Sequence, residues 1–413
     1  MAGPSGDVPL RPRAMRDRNR ALVLDAVARH EPVTRAQLAA RTGLTKSSVS
    51  SIVTELLAAR LVVEQGAQRG SDLGRPGTAL TLARDGLAGL GLEVNVDYLA
   101  ACVVDLARRT RVQYVEVGDN RVRDPAAVAE LLARLAAAAV AAARSQGLTI
   151  SATCVAVPGL VDQETGTVAR APNLDWSGVP LRRLLGGRVP AALTPVLVEN
   201  EANLAALGEL WFGDGAGLGD YVHISGEIGV GAGIVVDGEL FRGAHGHAGE
   251  LGHTTLDPDG DACACGGRGC LELFAGQEAI LRRAGLDPAV STSTGRADGP
   301  VSTLVGQLAA GDGQALAALE VAGRSLGVAA ASLVKLLDPD TVVLGGIYAV
   351  LAPWLREPFQ RALLAGIPMT RATPPRVAIS ALGPDAAVRG AAGLVTASML
   401  ARPGALLSVS ARA

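Results

Sequence analysis

Apolar positions along the first eighty residues follow helical spacing, then alternate. From Met15 to Arg29 the residues Ala21, Leu22, Leu24, Val27 and Ala28 recur with the helical period and predict a first helix. His30-Glu31-Pro32 breaks it. Thr34 is placed to cap a second helix that buries Ala36, Leu38 and Ala39. Gly43 supplies the next turn, and Thr45 opens a third helix to Arg60, with Val49, Ile52, Val53, Leu56 and Leu57 facing inward. Beyond Leu61-Val62-Val63-Glu64, the run GAQRGSDLGRPGTALTLA reads as two short strands around a Gly/Arg loop.

The rest of the chain alternates strands with helices, which predicts an α/β domain. Gly89–Asp105 reads as a strand pair with a turn near Asn95–Asp97, and Pro125–Gln146 as an Ala/Leu-rich amphipathic helix. Ile150–Val157 and Val196–Val198 read as buried strands, the second leading through Glu199–Asn203 into a helix ending near Trp211. Tyr221–Val236 reads as a hairpin, Leu304–Leu337 as mostly helical, and Thr341–Leu344 as a strand. No short repeat is visible, although two similar lobes around a cleft would fit this alternation.

A length of 413 residues suggests two or three domains. The chain is 49% apolar but only 3% aromatic, so its core is expected to be built from Ala, Val and Leu. No run of 18 apolar residues is free of charge or glycine, so no membrane span is expected. The Arg-rich start has no apolar core of a secretory signal. Five cysteines, three of them clustered, fit a reducing cytoplasm, and Cys102 and Cys154 sit in apolar runs as inert core residues. Net charge is −2, unevenly spread: residues 1–80 hold 12 basic and 7 acidic residues, the remainder 26 and 33. A basic head on an acidic body points to nucleic acid.

The helix–Gly turn–helix spacing is that of a helix-turn-helix, and the strand pair after it has the form of a wing. Thr45, Lys46, Ser47, Ser48 and Ser50 cluster at the start of the third helix. They offer one cation and several short hydrogen-bonding groups to phosphates and base edges in a major groove. Arg69 and Arg75 on the wing loop are suited to an electronegative minor groove. A small helical bundle with a solvated polar face is the plainer alternative.

The densest chemistry runs from Gly243 to Phe274. Cys263, Cys265 and Cys270 lie around a turn containing Gly266, Gly267 and Gly269, and His253 precedes them. Three thiolates and an imidazole form a closed tetrahedral zinc set. His245 and His247 are competing ligands; His253 is preferred because Glu250 stands beside it.

Ala248-Gly249-Glu250-Leu251-Gly252-His253, followed by Cys263-x-Cys265-Gly266-x-x-Gly269-Cys270-Leu271-Glu272, resembles the zinc signature of the ROK family of repressors and sugar kinases. The resemblance covers roughly residues 15–400. It implies an actin-like (ribonuclease-H-like) two-lobed ROK domain at 85–402, carrying the loop 243–274. An all-α/winged helix-turn-helix domain at 15–84 and a disordered residue 1–14 tail would precede it. Ala171-Pro172-Asn173-Leu174-x-Trp176 resembles the family's sugar loop, and Glu199–Asn203 occupies its catalytic segment. The resemblance thus implies sugar contacts from Asn173, Asn200, Glu201, Glu250, His253 and Glu272, with Zn2+ as a structural brace.

Three departures weigh against phosphoryl transfer. The family's phosphate hairpin, Asp then Gly-Gly-Thr, is matched here by Glu93-Val94-Asn95-Val96-Asp97-Tyr98. The Gly-Thr-Gly-x-Gly loop reads Glu227-Ile228-Gly229-Val230-Gly231, which removes a hydroxyl and adds a carboxylate. Glu201 stands where kinases have an aspartate base, and one methylene displaces a carboxylate by about 1.5 Å, a shift of a size that costs on the order of a hundredfold. The expected protein is a cytoplasmic, sugar-responsive transcriptional regulator, a repressor and not an enzyme. Its expected partners are a palindromic operator DNA, a small sugar with xylose, glucose and N-acetylglucosamine all open, and further copies of itself as a dimer or tetramer. An active sugar kinase that also binds DNA is the competing expectation, and a sugar-independent DNA-binding scaffold a third.

Overall fold

The computed structural model describes residues 12–68, 77–189, 193–213, 218–288, 299–367 and 373–404. The N-terminal unit comprises α1 (Pro12–His30), β1 (Val33–Thr34), α2 (Arg35–Thr42), α3 (Lys46–Ala58), β2 (Val62–Gln68) and β3 (Gly77–Leu82). Helix α1 starts ahead of the expected Met15, and most of the expected disordered tail, residues 1–11, lies outside the described residues. Thr34 and Gln37 form a reciprocal capping box on α2, and Gly43 closes that helix in the left-handed region at φ 71°. Val23, Leu24, Val27, Leu38, Val49 and Val53 are fully or almost fully buried between the helices. The sheet order is β1-β3-β2, with β2 and β3 antiparallel as a wing.

The first lobe of the large unit contains β4 (Gly86–Val94), β5 (Tyr98–Asp105), β6 (Thr110–Val117), α4 (Pro125–Ser145), β7 (Leu148–Val157), β8 (Leu160–Asp162), β9 (Thr167–Ala171), β10 (Trp176–Val179), α5 (Leu181–Gly186), β11 (Val196–Asn200) and α6 (Glu201–Phe212). Its main sheet has the order β6-β5-β4-β7-β11, while β8, β9 and β10 form a separate small sheet. The second lobe contains β12 (Tyr221–Gly226), β13 (Val230–Val236), β14 (Glu239–Leu240), α7 (Glu272–Ala275), α8 (Gln277–Arg283), α9 (Pro300–Ala309), α10 (Gly313–Leu337), β15 (Thr341–Gly346), α11 (Ile347–Val350), α12 (Ala352–Gly366), β16 (Arg376–Ile379) and α13 (Ala386–Ala401). Its sheet order is β14-β13-β12-β15-β16. The two main sheets therefore share one topology: third, second, first, fourth, fifth. In each, the first strand is antiparallel to the second and parallel to the fourth.

Each lobe sends its last helix across to the other. α6 leaves the first lobe and packs on β12 and β13, while α13 leaves the second and packs on β4, β5 and β7. The two helices meet at a tight seam, where a Cβ on Gly390 would stand 1.8 Å from the Leu204 carbonyl oxygen. Beside the seam, buried Ser380 donates from Oγ to Glu209 Oε2 at 2.7 Å. α13 also touches α1, and Val23 and Leu24 share one apolar cluster with Met399 and Leu400. The head is thereby docked on the helix that joins the lobes.

α4 and α10 are long and apolar enough to cross a bilayer by length and composition. In this fold their apolar faces are spent inside: α4 buries Val128, Leu132, Ala136 and Val140, and α10 buries Leu319, Leu326 and Val334.

Candidate functional site

The start of α3 is an exposed polar surface. Lys46, Ser47 and Ser50 are exposed, and Ser48 is half-buried. Thr45 uses its hydroxyl as the N-cap, accepting from the Ser48 N–H at 3.2 Å and donating to Ser48 Oγ at 2.9 Å. It therefore orders the helix start rather than standing free for a base. Arg20 Nε donates to Glu55 Oε2 at 2.8 Å, pinning α1 to α3, and Arg35 reaches Glu64 on β2 at 2.8 Å. Arg69 and Arg75 lie outside the described residues.

His253, Cys263, Cys265 and Cys270 converge, with their ligand atoms all within 4.8 Å of one another. Cys265 Sγ and Cys270 Sγ are 3.7 Å apart, and Cys263 Sγ lies 3.8 Å from His253 Nδ1. A tetrahedron with zinc–sulfur bonds of about 2.3 Å has sulfur–sulfur edges of about 3.8 Å, so the donor set fits zinc in both identity and spacing. Backbone pairing folds the loop: the Leu256 N–H donates to the Gly269 carbonyl at 2.8 Å, and the Cys263 N–H to the Gly267 carbonyl at 2.9 Å. His245 and His247 fall outside the cluster. His253 turns Nδ1 toward the thiols, leaving Nε2 for another partner.

The loop is set against the second lobe by direct backbone contact. Gly249 has φ 97°, and a Cβ there would stand 2.0 Å from the Ala232 carbonyl. Only glycine lets the loop lie on β13 this closely, and this contact holds Glu250 and His253 over the cleft. Across the cleft, Arg170 Nη2 on β9 donates to the Ala264 carbonyl at 3.0 Å, joining the first lobe to the metal loop.

Asn173, Asn200, Glu201, Glu250, His253 and Glu272 all line one cavity between the lobes. Its volume of about 70 Å³ is that of about two waters at liquid density. Asn200 is partly committed elsewhere: Nδ2 donates to the Gly159 carbonyl at 2.9 Å, and Oδ1 accepts from the Asn203 N–H at 3.1 Å as the cap of α6. Burial, followed by the charges of Glu93, Asp97 and Glu250, pushes the Glu201 carboxyl up to about 8. A carboxyl raised this far is largely protonated at neutral pH and can donate to a hydroxyl. Burial likewise raises Glu250.

Behind Glu201 the space closes. Glu93, Asn95, Asp97 and Tyr98 on the β4–β5 turn are all buried. Tyr98 donates to Glu93 Oε1 at 2.6 Å, and Asn95 donates to the Tyr98 hydroxyl at 3.2 Å. A remnant cavity of only about 10 Å³ is lined by Glu93, Glu201 and Glu227. It has room for about one water, and its wall is acidic.

One residue central to this arrangement escaped the sequence reading as anything more than part of a motif. Glu199 is buried at 3% exposure. Its Oε1 accepts from the Asn200 N–H at 2.8 Å and from Asn203 Nδ2 at 3.1 Å. Its Oε2 accepts from Arg242 Nε at 3.0 Å and from Gln163 Nε2. Arg242 and Gln163 are distant in sequence, and only the run of acidic and amide residues at 199–203 could have hinted at such a hub.

Two lobes of matched topology around a polar cleft, with a winged helix docked on the joining helix, define a DNA-binding protein with a two-lobed body. The ROK family profile matches residues 89–398 and the MarR family profile residues 17–70. The chain belongs to the ROK family and is a transcriptional regulator of it, with a MarR-type DNA-binding head. It is 31% identical to a xylose repressor from Caldicellulosiruptor bescii over 93% of this chain and 97% of that protein. It is 34% identical to a glucokinase from Streptomyces coelicolor, over 67% of this chain and 90% of that enzyme. The crystal structure of a ROK family transcriptional regulator homologous to the E. coli MLC protein superposes with a TM-score of 0.74 at 25% identity, covering 96% of this chain and 98% of that one.

Proposed function

We propose that the chain is a sugar-responsive repressor that has lost phosphoryl transfer. The observation carrying this reading is the closed acidic space behind Glu201. A kinase needs room and positive or neutral donors for phosphates there, together with an unprotonated base. This chain has about 10 Å³ there, walled by Glu93, Glu227 and a Glu201 whose carboxyl burial pushes up to about 8. The cleft in front of it retains amides, carboxylates and a histidine suited to a ring of hydroxyls. The similarity to repressors, extending through the DNA-binding head, supports the same reading, and the xylose repressors among them put xylose first in a sugar panel.

Zinc would be held by His253, Cys263, Cys265 and Cys270 as a closed structural site. Those four residues fix the loop from which Glu250, His253 and Glu272 face the sugar. Sugar contacts draw the lobes together across the cleft. The relative motion turns about the α6–α13 seam, and α13 carries α1, so a cleft event repositions the head. In a homodimer of the cytoplasmic protein, that shift changes the spacing of paired α3 helices on a palindromic operator, with Lys46, Ser47, Ser48, Ser50, Arg69 and Arg75 facing DNA. Exposed Val328, Leu336 and Leu364 on α10 and α12 support self-association.

The test is calorimetry of the purified chain against a panel of aldoses, run beside a coupled ATP-turnover assay. The reading expects one sugar to bind with no ATP consumption. ATP-dependent phosphorylation at ordinary kinase rates, or no binding by any sugar, would overturn it.

A further inference from the structure

The head does not lie flat on the body. Between α1, α6, α13 and β14 remains a cavity of about 630 Å³, far larger than the cleft and separate from it. That volume falls in the range of small-molecule sites, and domain junctions are where such sites concentrate. Its apolar wall comes from Leu22, Trp211, Leu240 and Leu394. Leu22 is 42% exposed on a helix whose neighbouring Val23 and Leu24 are fully buried, and it faces this space.

The polar wall is mainly cationic. Arg18, Arg29, Arg108 and Arg242 line the cavity against Asp25 and Glu239, a net of two positive charges. Asp25 is taken by Arg29 at 2.9 Å, and Arg242 is engaged with Glu199. Among the described residues no ion pair or hydrogen bond occupies the guanidinium group of Arg18 or Arg108, although that of Arg108 lies 5.8 Å over the Trp211 ring. One of these two guanidinium groups belongs to the DNA-binding head and the other to the body. An anion between them would bridge the two units by charge-assisted hydrogen bonds, while its apolar portion covers Leu22 and Trp211.

We propose that this cavity is a second ligand site, for a small amphipathic organic anion: a carboxylate or phosphate on an apolar or aromatic body. Its occupant would set the position of the head. Arg242 also links it to the cleft, since the same side chain holds Glu199, which holds the backbone of Asn200. The two sites are therefore coupled, and the coupling acts equally in both directions. The junction site is tested without sugar, so its failure and that of the sugar reading are distinguishable.

The test uses the full chain and 8-anilinonaphthalene-1-sulfonate, an aromatic anion whose fluorescence reports binding. One saturable site per chain is expected, displaced by phenyl phosphate or benzoate but not by equimolar inorganic phosphate. Arg18→Gln and Arg108→Gln should each weaken the probe about tenfold, and Ala397→Trp, which fills the cavity, should abolish it. Arg18 is exposed, so that variant keeps the test valid if the tryptophan disturbs folding. Titrations of Arg18→Gln and Arg108→Gln that superimpose on the wild type would overturn the site. Equal displacement by inorganic phosphate would overturn the amphipathic class.

Discussion

Replacing Gly390 with alanine adds one methyl group at the point where the lobes are joined. In the native seam the new Cβ would stand 1.8 Å from the Leu204 carbonyl oxygen and 2.9 Å from the Gly208 nitrogen. Ordinary contact begins near 3.4 Å, so α13 and α6 must part by about 1.6 Å. Both obstacles are backbone, so no rotamer change relieves them. Overpacking of a core typically costs about 1–3 kcal/mol, and a rigid backbone obstacle places this substitution at the upper end, about 3 kcal/mol. Gly306→Ala is the matched control: it lies exposed in α9 with nothing within 4 Å of its Cβ. There alanine should stabilise by about 0.5–1 kcal/mol through helix propensity. Urea unfolding of the two variants should thus show opposite signs for the same chemical change. A Gly390→Ala midpoint matching that of wild type would refute the close seam, and with it the route proposed from cleft to head.

Other consequences are more local. Purified wild-type protein should carry one zinc per chain by elemental analysis, and Cys265→Ser should lose it together with at least about tenfold in sugar affinity, because the loop presenting Glu250 and Glu272 is released. Burial holds the His223 ring down to about 4 against an ordinary 6.5, so it stays neutral in the fold while the unfolded chain protonates. Its contribution is therefore fully present above pH 6.5 and lost as pH falls, by about 2 kcal/mol at pH 5 and about 3 kcal/mol at pH 4; His223→Leu should flatten that slope in urea titrations. Glu201→Asp should not restore ATP turnover in a coupled assay, because Glu93 and Glu227 still fill the phosphate space.

What the chain reveals in one dimension depends on how local each cause is. The head was legible because its apolar spacing, the Thr34 and Thr45 caps and the Gly43 turn all act within a few residues. The Cys/His cluster was legible because its four ligands fall within eighteen residues of chain, from His253 to Cys270. The small sheet of β8, β9 and β10 was not, since its strands are only three to five residues long and carry little periodic signal. The matched topology of the two main sheets was also hidden, because connectivity leaves no repeat in side-chain identity. Three-dimensional pairing placed Arg242 on Glu199 and Gly390 on Leu204, and nothing near either residue announces its partner. Glu93 and Glu227 could be read as hostile to phosphate, but their placement around one small space beside Glu201 could not. Asn200 was read as a ligand group, and the fold also uses it as the cap of α6.

The most direct measurement is fluorescence anisotropy of a DNA duplex selected by the full chain from a random pool, titrated with protein in the presence and absence of unphosphorylated aldoses. One sugar, with xylose first in the panel, should weaken DNA binding by at least about tenfold, a coupling of about 1.4 kcal/mol, without ATP. Identical DNA affinities with every sugar would contradict a sugar-responsive regulator.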